Sequence, residues 1–533
     1  MRRLLTFGIV AVLFLTACSS TPSSAQGEVF TSALSGLPSN IDPAVNEGNP
    51  SRWVGQVRGG TLVEYDPRSL PGAGCSQLAS VEDLRPGVAE SWTIEADGAV
   101  TFALSDAISA YGNEITAEDV KWTYDRLVAL EAGFPGFLMR FIADYAQDAV
   151  EVIDEKTVRF NVNSSTGVDV VIWTVFALSI IDSTEAKTHA TADDPWASEW
   201  LAVNSATFGP WHSTAEDFVP GERIRLTRNP NYEGEFGSFD EINLIAVPES
   251  SVRAQLLAAG EVDYAVALTL DGYQALADTE GVTVHTCVSA DRVPLVLNLA
   301  DAQFADPQFR QALSRAINRE AIVQGPYRGF ATPATSGLSS AYDVAVPTVE
   351  EYEFDLETAK EMLAELGFDG RRSVDLLVSS TRPGPQAEGI GVLLRDQLSE
   401  VGLDVNLTVV AGASEFVSEF YGAEYEMILY AEPPVIADPY YSLSIYHPTG
   451  MFQNSHGYSN EDFDRLVGEV KSSPPGDARD VLIGEIEQLI ARDHPFIYLV
   501  DLRFNYALAS DLEGFTHAPH GELDIARLTR AAP

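Results

Sequence analysis

Lysine is nearly absent from this chain. Lys121, Lys156, Lys187, Lys360 and Lys471 are the only ones in 533 residues, and arginine supplies the remaining positive charge. With 78 acidic and 33 basic residues, the formal net charge is -45. Such a surface repels nucleic-acid phosphates and anionic lipid headgroups, which argues against a partner of either kind for the bare polypeptide. We read the charge as a solvated acidic face, not as a ligand site. Cysteine is also scarce, with only Cys18, Cys75 and Cys287. There is no G-x-S-x-G elbow for acyl transfer, no Walker glycine loop and no H-E-x-x-H zinc pair. The eight histidines (His189, His212, His285, His447, His456, His494, His517 and His520) show no zinc-ligand spacing. His447 and His456 keep a minor metal or metal-chelate reading beside the ordinary one of hydrogen-bonding side chains. Acidic pairs such as Asp193/Asp194 and Glu350/Glu351 mean little in so acidic a chain. These absences lower the weight of any catalytic reading, and no cofactor or metal is expected.

The one long apolar run is at the start. Arg2 and Arg3 precede Leu4–Leu15, which is shorter than the ~20 residues that span a bilayer and reads as the core of an export signal. Leu15-Thr16-Ala17-Cys18 looks like a bacterial lipobox, in which the cysteine is acylated and becomes the mature N-terminus. The competing reading is a free cysteine near an ordinary cleavage site. Residues 1–17 are then the signal peptide, and 18–27, rich in serine, a flexible tether. The expected location is extracytoplasmic, anchored by lipid to the outer face of the cytoplasmic membrane, with Sec or twin-arginine export both open. Cys75 and Cys287 form either one disulfide or two free thiols, because a bridge needs Cα atoms ~4.4–6.8 Å apart and sequence does not fix that separation.

The length allows two or three domains of ~100–200 residues each. The most informative stretch is Gly221–Tyr264. Arg223–Arg228 alternates charged and apolar residues, with Ile224 and Leu226 on one face, as a half-buried strand does. Asn229-Pro230-Asn231 ends it. Ile242, Leu244 and Ala246 mark a second strand. Ser250 is placed as an N-cap, Val252, Leu256 and Ala259 give a helical stripe, and Gly260 suits C′. Val262, Tyr264 and Val266 begin a third strand. The order β-β-α-β requires a crossover. Elsewhere Thr116 and Asp119 have capping-box spacing, and Asp306-Pro307 and Asp355 open further helices.

These segments resemble one family. Arg228–Tyr232 (RNPNY) and Gly260–Asp263 (GEVD), with Ala89–Trp92 (AESW), Thr116–Val120 (TAEDV) and Asp306–Ala321, are similar to the signature segments of family 5 extracellular solute-binding proteins. These are the dipeptide-, oligopeptide- and nickel-type receptors of ABC importers. The likeness follows the mature chain in order. It implies a two-lobed α/β fold of the periplasmic-binding-protein type II class, of the large peptide-binding kind with an extra subdomain in lobe one. Lobe one would hold 28–288 and 496–533, with the inserted subdomain near 59–205, and lobe two 289–495. It implies no catalysis. A small solute, peptide or peptide-like, would be enclosed between the lobes and delivered to a membrane permease served by an ATPase subunit, the receptor itself being a monomer. A non-transport receptor and, more distantly, a secreted hydrolase are the alternatives. Peptide-binding members hold the peptide amino group with an aspartate shortly before an Asp/Glu-Pro step, here Asp438-Pro439. That aspartate's position is Val435, or Glu432 in another register. The ligand-binding candidates are therefore Tyr430, Glu432, Asp438, Tyr440 and Tyr441, with Asn298, Trp53 and Asp42 as weaker ones. An ammonium anchor at Glu432 would make Glu432→Gln weaken binding of a cationic or zwitterionic solute.

Overall fold

The computed structural model describes residues 28–45, 49–66, 75, 83–142, 149–161, 168–342, 344, 353–368, 370–434, 436, 438–474, 476–518 and 522–531. The expected signal peptide, Cys18, the expected tether and Val435 lie outside these residues.

Gly221–Tyr264 folds in the order its pattern predicts. Arg223–Arg228 runs antiparallel to Phe239–Ala246, with Ile224 and Leu226 buried. The following helix spans Ser250–Ala258. Its N-cap is Glu249, not Ser250, whose Oγ instead accepts the Thr269 N–H at 2.9 Å. Gly260 has φ +70°, the left-handed conformation that ends helices at C′. Tyr264–Ala265 then re-enters the sheet. The first strand, Glu28–Leu34, is inserted between Phe239–Ala246 and Tyr264–Ala265 and is parallel to both. The helix is thus the crossover that parallel strands require.

Lobe two is built on the same unit. Arg372–Val378 and Leu403–Val409 are parallel and joined through the helix Ala387–Ser399. Val374, Leu376 and Val378 share a core with Ile390, Leu394 and Leu398. The inserted part of lobe one is a four-stranded antiparallel sheet of Ala89–Ile94, Val100–Leu104, Thr157–Phe160 and Val150–Asp154. The helix Ala117–Ala129 in this part starts where the Asp119 carboxylate accepts the Thr116 N–H at 2.8 Å. That bond satisfies one of the donors a helix start leaves unpaired.

Two long antiparallel strands, Val282–Leu297 and Ile497–Ala509, tie the lobes together within one twelve-stranded sheet. The sequence pattern marks them only as 293–299 and 497–500. Their lobe-one halves read VTVHT and RFNY and are largely half-buried, so no apolar run announces them. Cys75 is joined to Cys287 on the first of these strands by a disulfide.

The register of the pair shifts between Val288 and Arg292 and again between Val293 and Pro294. Proline has no N–H for a ladder and belongs at such irregularities. Arg292 is buried there. Its Nε donates to Asp501 Oδ1 at 2.7 Å and its Nη2 to the Ser336 carbonyl at 2.9 Å, and its guanidinium lies 3.9 Å from the Tyr498 ring centroid. Asp501 Oδ2 accepts from the Ser340 N–H and Oγ, both at 3.2 Å. Another core runs from the inserted subdomain (Val63, Trp173) into lobe two (Tyr342, Tyr430, Tyr446), so the lobes meet face to face.

Removing one member of a buried ion pair leaves the other uncompensated, at about 3–5 kcal/mol. Arg292→Met is therefore expected to lower unfolding free energy by about that amount in urea titrations. The double variant Arg292→Met/Asp501→Asn should recover part of the loss. A single variant as stable as wild type would show that Arg292 and Asp501 do not secure the crossing strands.

Candidate functional site

The segment 430–441 reaches the crossing strands through one bridge. Arg292 N–H donates to the Glu432 carbonyl at 3.0 Å, and Glu432 N–H donates to the Arg292 carbonyl at 2.9 Å. Two residues earlier, Tyr430 N–H donates to the Pro294 carbonyl at 3.0 Å. The segment therefore lies where the two lobes are joined.

The candidate side chains divide into two sets. Glu432 is 1% exposed and points inward, where its Oε2 accepts from the Tyr498 hydroxyl at 3.0 Å. That hydroxyl is also 3.0 Å from His447 Nε2, which completes a Glu432–Tyr498–His447 chain. Burial pushes the Glu432 carboxyl up to about 7, against the pull of Arg292, and brings His447 down to about 3. Asp438 is the N-cap of the helix Pro439–Tyr446 and accepts from the Tyr440 N–H at 2.8 Å. Both of its oxygens also take Arg479, at 2.9 and 2.6 Å. Asn298 donates to the Ala423 and Tyr425 carbonyls at 3.0 and 3.1 Å and accepts from the Ala300 N–H. Asp42 is buried and takes Arg126 in two-pronged fashion. The sequence reading offers Glu432, Asp438, Asn298 and Asp42 as ligand contacts; the structure gives all four internal partners.

The second set is aromatic and cationic. Tyr430 stacks on Phe420 at 3.8 Å between centroids, and the Arg382 guanidinium lies 4.5 Å from the Tyr430 centroid. Arg382 Nη2 donates to the Ala431 carbonyl at 3.1 Å, while its buried Nε has no partner. Tyr440 is half-buried and Tyr441 buried, both packed in the core that joins the lobes. Trp53, half-buried on the lobe-one helix Asn49–Arg58, meets Tyr264 edge-on at 5.8 Å. Arg382 escaped the sequence reading. It sits in a Thr-Arg-Pro-Gly-Pro turn, and nothing in that spacing distinguishes it from any surface arginine.

His447 and His456 lie 5.6 Å apart between ring centroids, but no group of three metal-ligating side chains occurs among the described residues. Three cavities, of about 130, 280 and 300 Å³, are lined by lobe-one residues such as Glu64, Arg85, Tyr232, Arg527 and Phe515, together with the two crossing strands in the third, and none includes the 430–441 segment.

A single sheet carried through two α/β lobes by two crossing strands, with aromatic and cationic groups at their junction, defines a two-lobed solute-binding protein. Residues 83–453 match the profile described as bacterial extracellular solute-binding proteins, family 5 Middle. The chain belongs to that family, which is one of binding proteins and not of enzymes. It is 26% identical over 496 residues to the probable D,D-dipeptide-binding periplasmic protein DdpA of Escherichia coli K12, covering 90% of each chain. It is 22% identical over 545 residues to heme-binding protein A of Haemophilus influenzae, covering 96% of each. Among solved structures it resembles HbpA2 from Haemophilus parasuis, with TM-score 0.81, 19% identity, and 95% and 100% of the two chains covered. It also resembles the periplasmic binding protein DppA from Helicobacter pylori in complex with peptide STSA, with TM-score 0.74, 22% identity, and 95% and 98% covered.

The internal placement of Glu432 changes what Glu432→Gln should do. A carboxyl held at about 7 in the fold, against its ordinary 4.5, stabilises most below 4.5 and loses that contribution as pH rises through 7. Glutamine mimics the neutral acid at every pH. The Tm of Glu432→Gln minus that of wild type should therefore rise between pH 4.5 and 7 and level off above, by the equivalent of about 1–3 kcal/mol. A flat difference across that range would return Glu432 to the surface.

Proposed function

We propose that this chain is the lipid-anchored receptor of an ABC importer for a small peptide-like solute. The observation that carries the reading is the attachment of Arg382 and the aromatic group of lobe two to the crossing strands, where the two lobes join. A solute placed there touches both lobes. Only such a solute favours the shut form over the open one, because a ligand shifts an equilibrium by its differential affinity for the two states. A shut pair of lobes then offers the membrane permease a surface that the open pair lacks.

The solute class is supported by the relatives that are named for dipeptides and oligopeptides. Anchorage is supported by the Leu15-Thr16-Ala17-Cys18 sequence. One acyl chain holds a protein to a membrane only marginally, whereas several hold it stably. No bond of the solute is made or broken.

Thermal shift with pools of di-, tri-, tetra- and pentapeptides, sugars and metal chelates tests the reading. A peptide at 100 times its Kd adds about 2.7 kcal/mol to stability, a shift of several degrees. Stabilisation by a peptide pool alone is expected. A response to sugars or chelates with none to peptides would overturn the solute class. Metabolic labelling with palmitate that persists in Cys18→Ala would overturn the anchor.

A further inference from the structure

Solute capture between the lobes leaves the Arg228–Tyr232 turn without a task. Its asparagines rivet the inserted subdomain to the rest of lobe one. Asn229 Nδ2 donates to the Ile108 and Gly209 carbonyls at 2.9 and 3.1 Å, and Asn231 Nδ2 donates to the Ser109 carbonyl at 2.8 Å. Tyr232 follows, half-buried, with its ring against Gly234, where an added Cβ would strike it. Tyr232 lines both of the cavities of about 130 and 280 Å³. They adjoin, for Glu64, Arg85, Glu235 and Arg527 line both as well. Together they reach the low end of the ~300–1,000 Å³ that small-molecule sites occupy.

Glu64 and Arg85 are register partners across the hairpin of Val63–Tyr65 and Leu84–Pro86, and Arg85 Nη2 donates to Glu64 Oε2 at 2.7 Å. Their side chains are 27% and 21% exposed, so the space is open to solvent. Arg527, on the return segment, has its Nη1 3.2 Å from Asp524 Oδ2 but out of line for a hydrogen bond. Arg85 Nε is also buried without a hydrogen-bond partner among the described residues. Two guanidinium N–H groups on the lining residues are thus unmet, and a buried donor in that state is costly. An anion would join three carboxylates and two guanidiniums on a chain of net charge -45. A cation offers no acceptor to the unmet N–H groups. What suits them is a neutral molecule with acceptor atoms. Beside each arginine stands a carboxylate, which has about four acceptor sites and so keeps room for a donor of the same molecule. Tyr232 and Phe176 give the smaller cavity flat aromatic lining.

We infer that these adjoining cavities are a second binding site, within lobe one, for a neutral planar heterocycle of free-nucleobase size whose edge carries neighbouring C=O and N–H groups. Arginine donating to ring acceptors and a carboxylate accepting from amino groups are the pairings by which side chains read base edges. Aromatic side chains take the face of such a ring. A nucleotide is excluded, because its phosphate would lie against Glu64, Asp524 and Glu235. The lining residues all belong to lobe one, so occupancy does not depend on lobe closure or on the peptide-like reading of the other site.

The test is calorimetry and thermal shift on the full mature chain with hypoxanthine and uracil. Each is run beside a form methylated at its lactam nitrogens and beside its 5′-monophosphate. At least one free base should bind with Kd below ~1 mM, and at least tenfold more tightly than its methylated form and its nucleotide. Arg85→Gln and Arg527→Gln should each weaken it at least tenfold, with the Tm of the unliganded variant within a few degrees of wild type. Peptides that stabilise the chain should do so equally with the base present. No response to either base at millimolar concentration would overturn the inference, as would undiminished binding in both variants or mutual displacement of base and peptide. If the variants lose their fold, wild-type crystals soaked with the base decide. A base edge on Arg85 and Arg527 sustains the site, and water alone in the cavities overturns it. Base binding without a response to any peptide pool would overturn the peptide reading and leave this site standing.

Discussion

The structure turns on the ion pair of Arg292 and Asp501 at the centre of the two crossing strands. Two charges taken out of water are costly, and they hold only where each donor and acceptor is met. Here Asp501, a backbone carbonyl and the Tyr498 ring take the guanidinium, and Ser340 takes the second carboxylate oxygen. Such a set tolerates one geometry only. It fixes the register shift at 288–292, which in turn fixes where Glu432 bridges. The Glu432–Tyr498–His447 chain packs against the same ring and extends the rigid block into lobe two.

Arginine carries much of this chain's internal order, which gives the shortage of lysine a structural side. Arg58, Arg126, Arg253, Arg292, Arg310, Arg319 and Arg479 are all buried. Arg253 alone gathers the carbonyls of Val247, Pro248, Val266 and Ala267. Arg310 does the same for Phe304, Asp493 and His494. A planar group with five donors satisfies several carbonyls at once, which a lysine ammonium cannot do in a fixed plane.

The fold was legible because its signals are local. Caps at Asp306 and Asp355, the Gly260 stop and the Ile224/Leu226 alternation depend on residues a few places apart, and each appears as patterned. The lengths of the crossing strands were not legible, since their lobe-one halves lean on each other through polar, half-buried pairs such as Thr286 and Asn505. The site was less legible still. Glu432 and Asp438 have the right chemistry for an ammonium, and a chain alone does not reveal that Tyr498 and Arg479, 66 and 41 residues away, already hold them. Arg382 carries no spacing signal at all, and its place over the Tyr430 ring exists only once two separate elements are folded.

That difference bears on how a family of one fold handles many solutes. The clasp and the crossing strands are bound by internal bonds and have little room to vary. The groups at the junction hang from that frame on a turn, a helix and a strand irregularity, and each can change without disturbing the others. Glu432 and Asp438 already meet Tyr498 and Arg479 inside the fold, so neither carboxylate is open to a positive group at the junction.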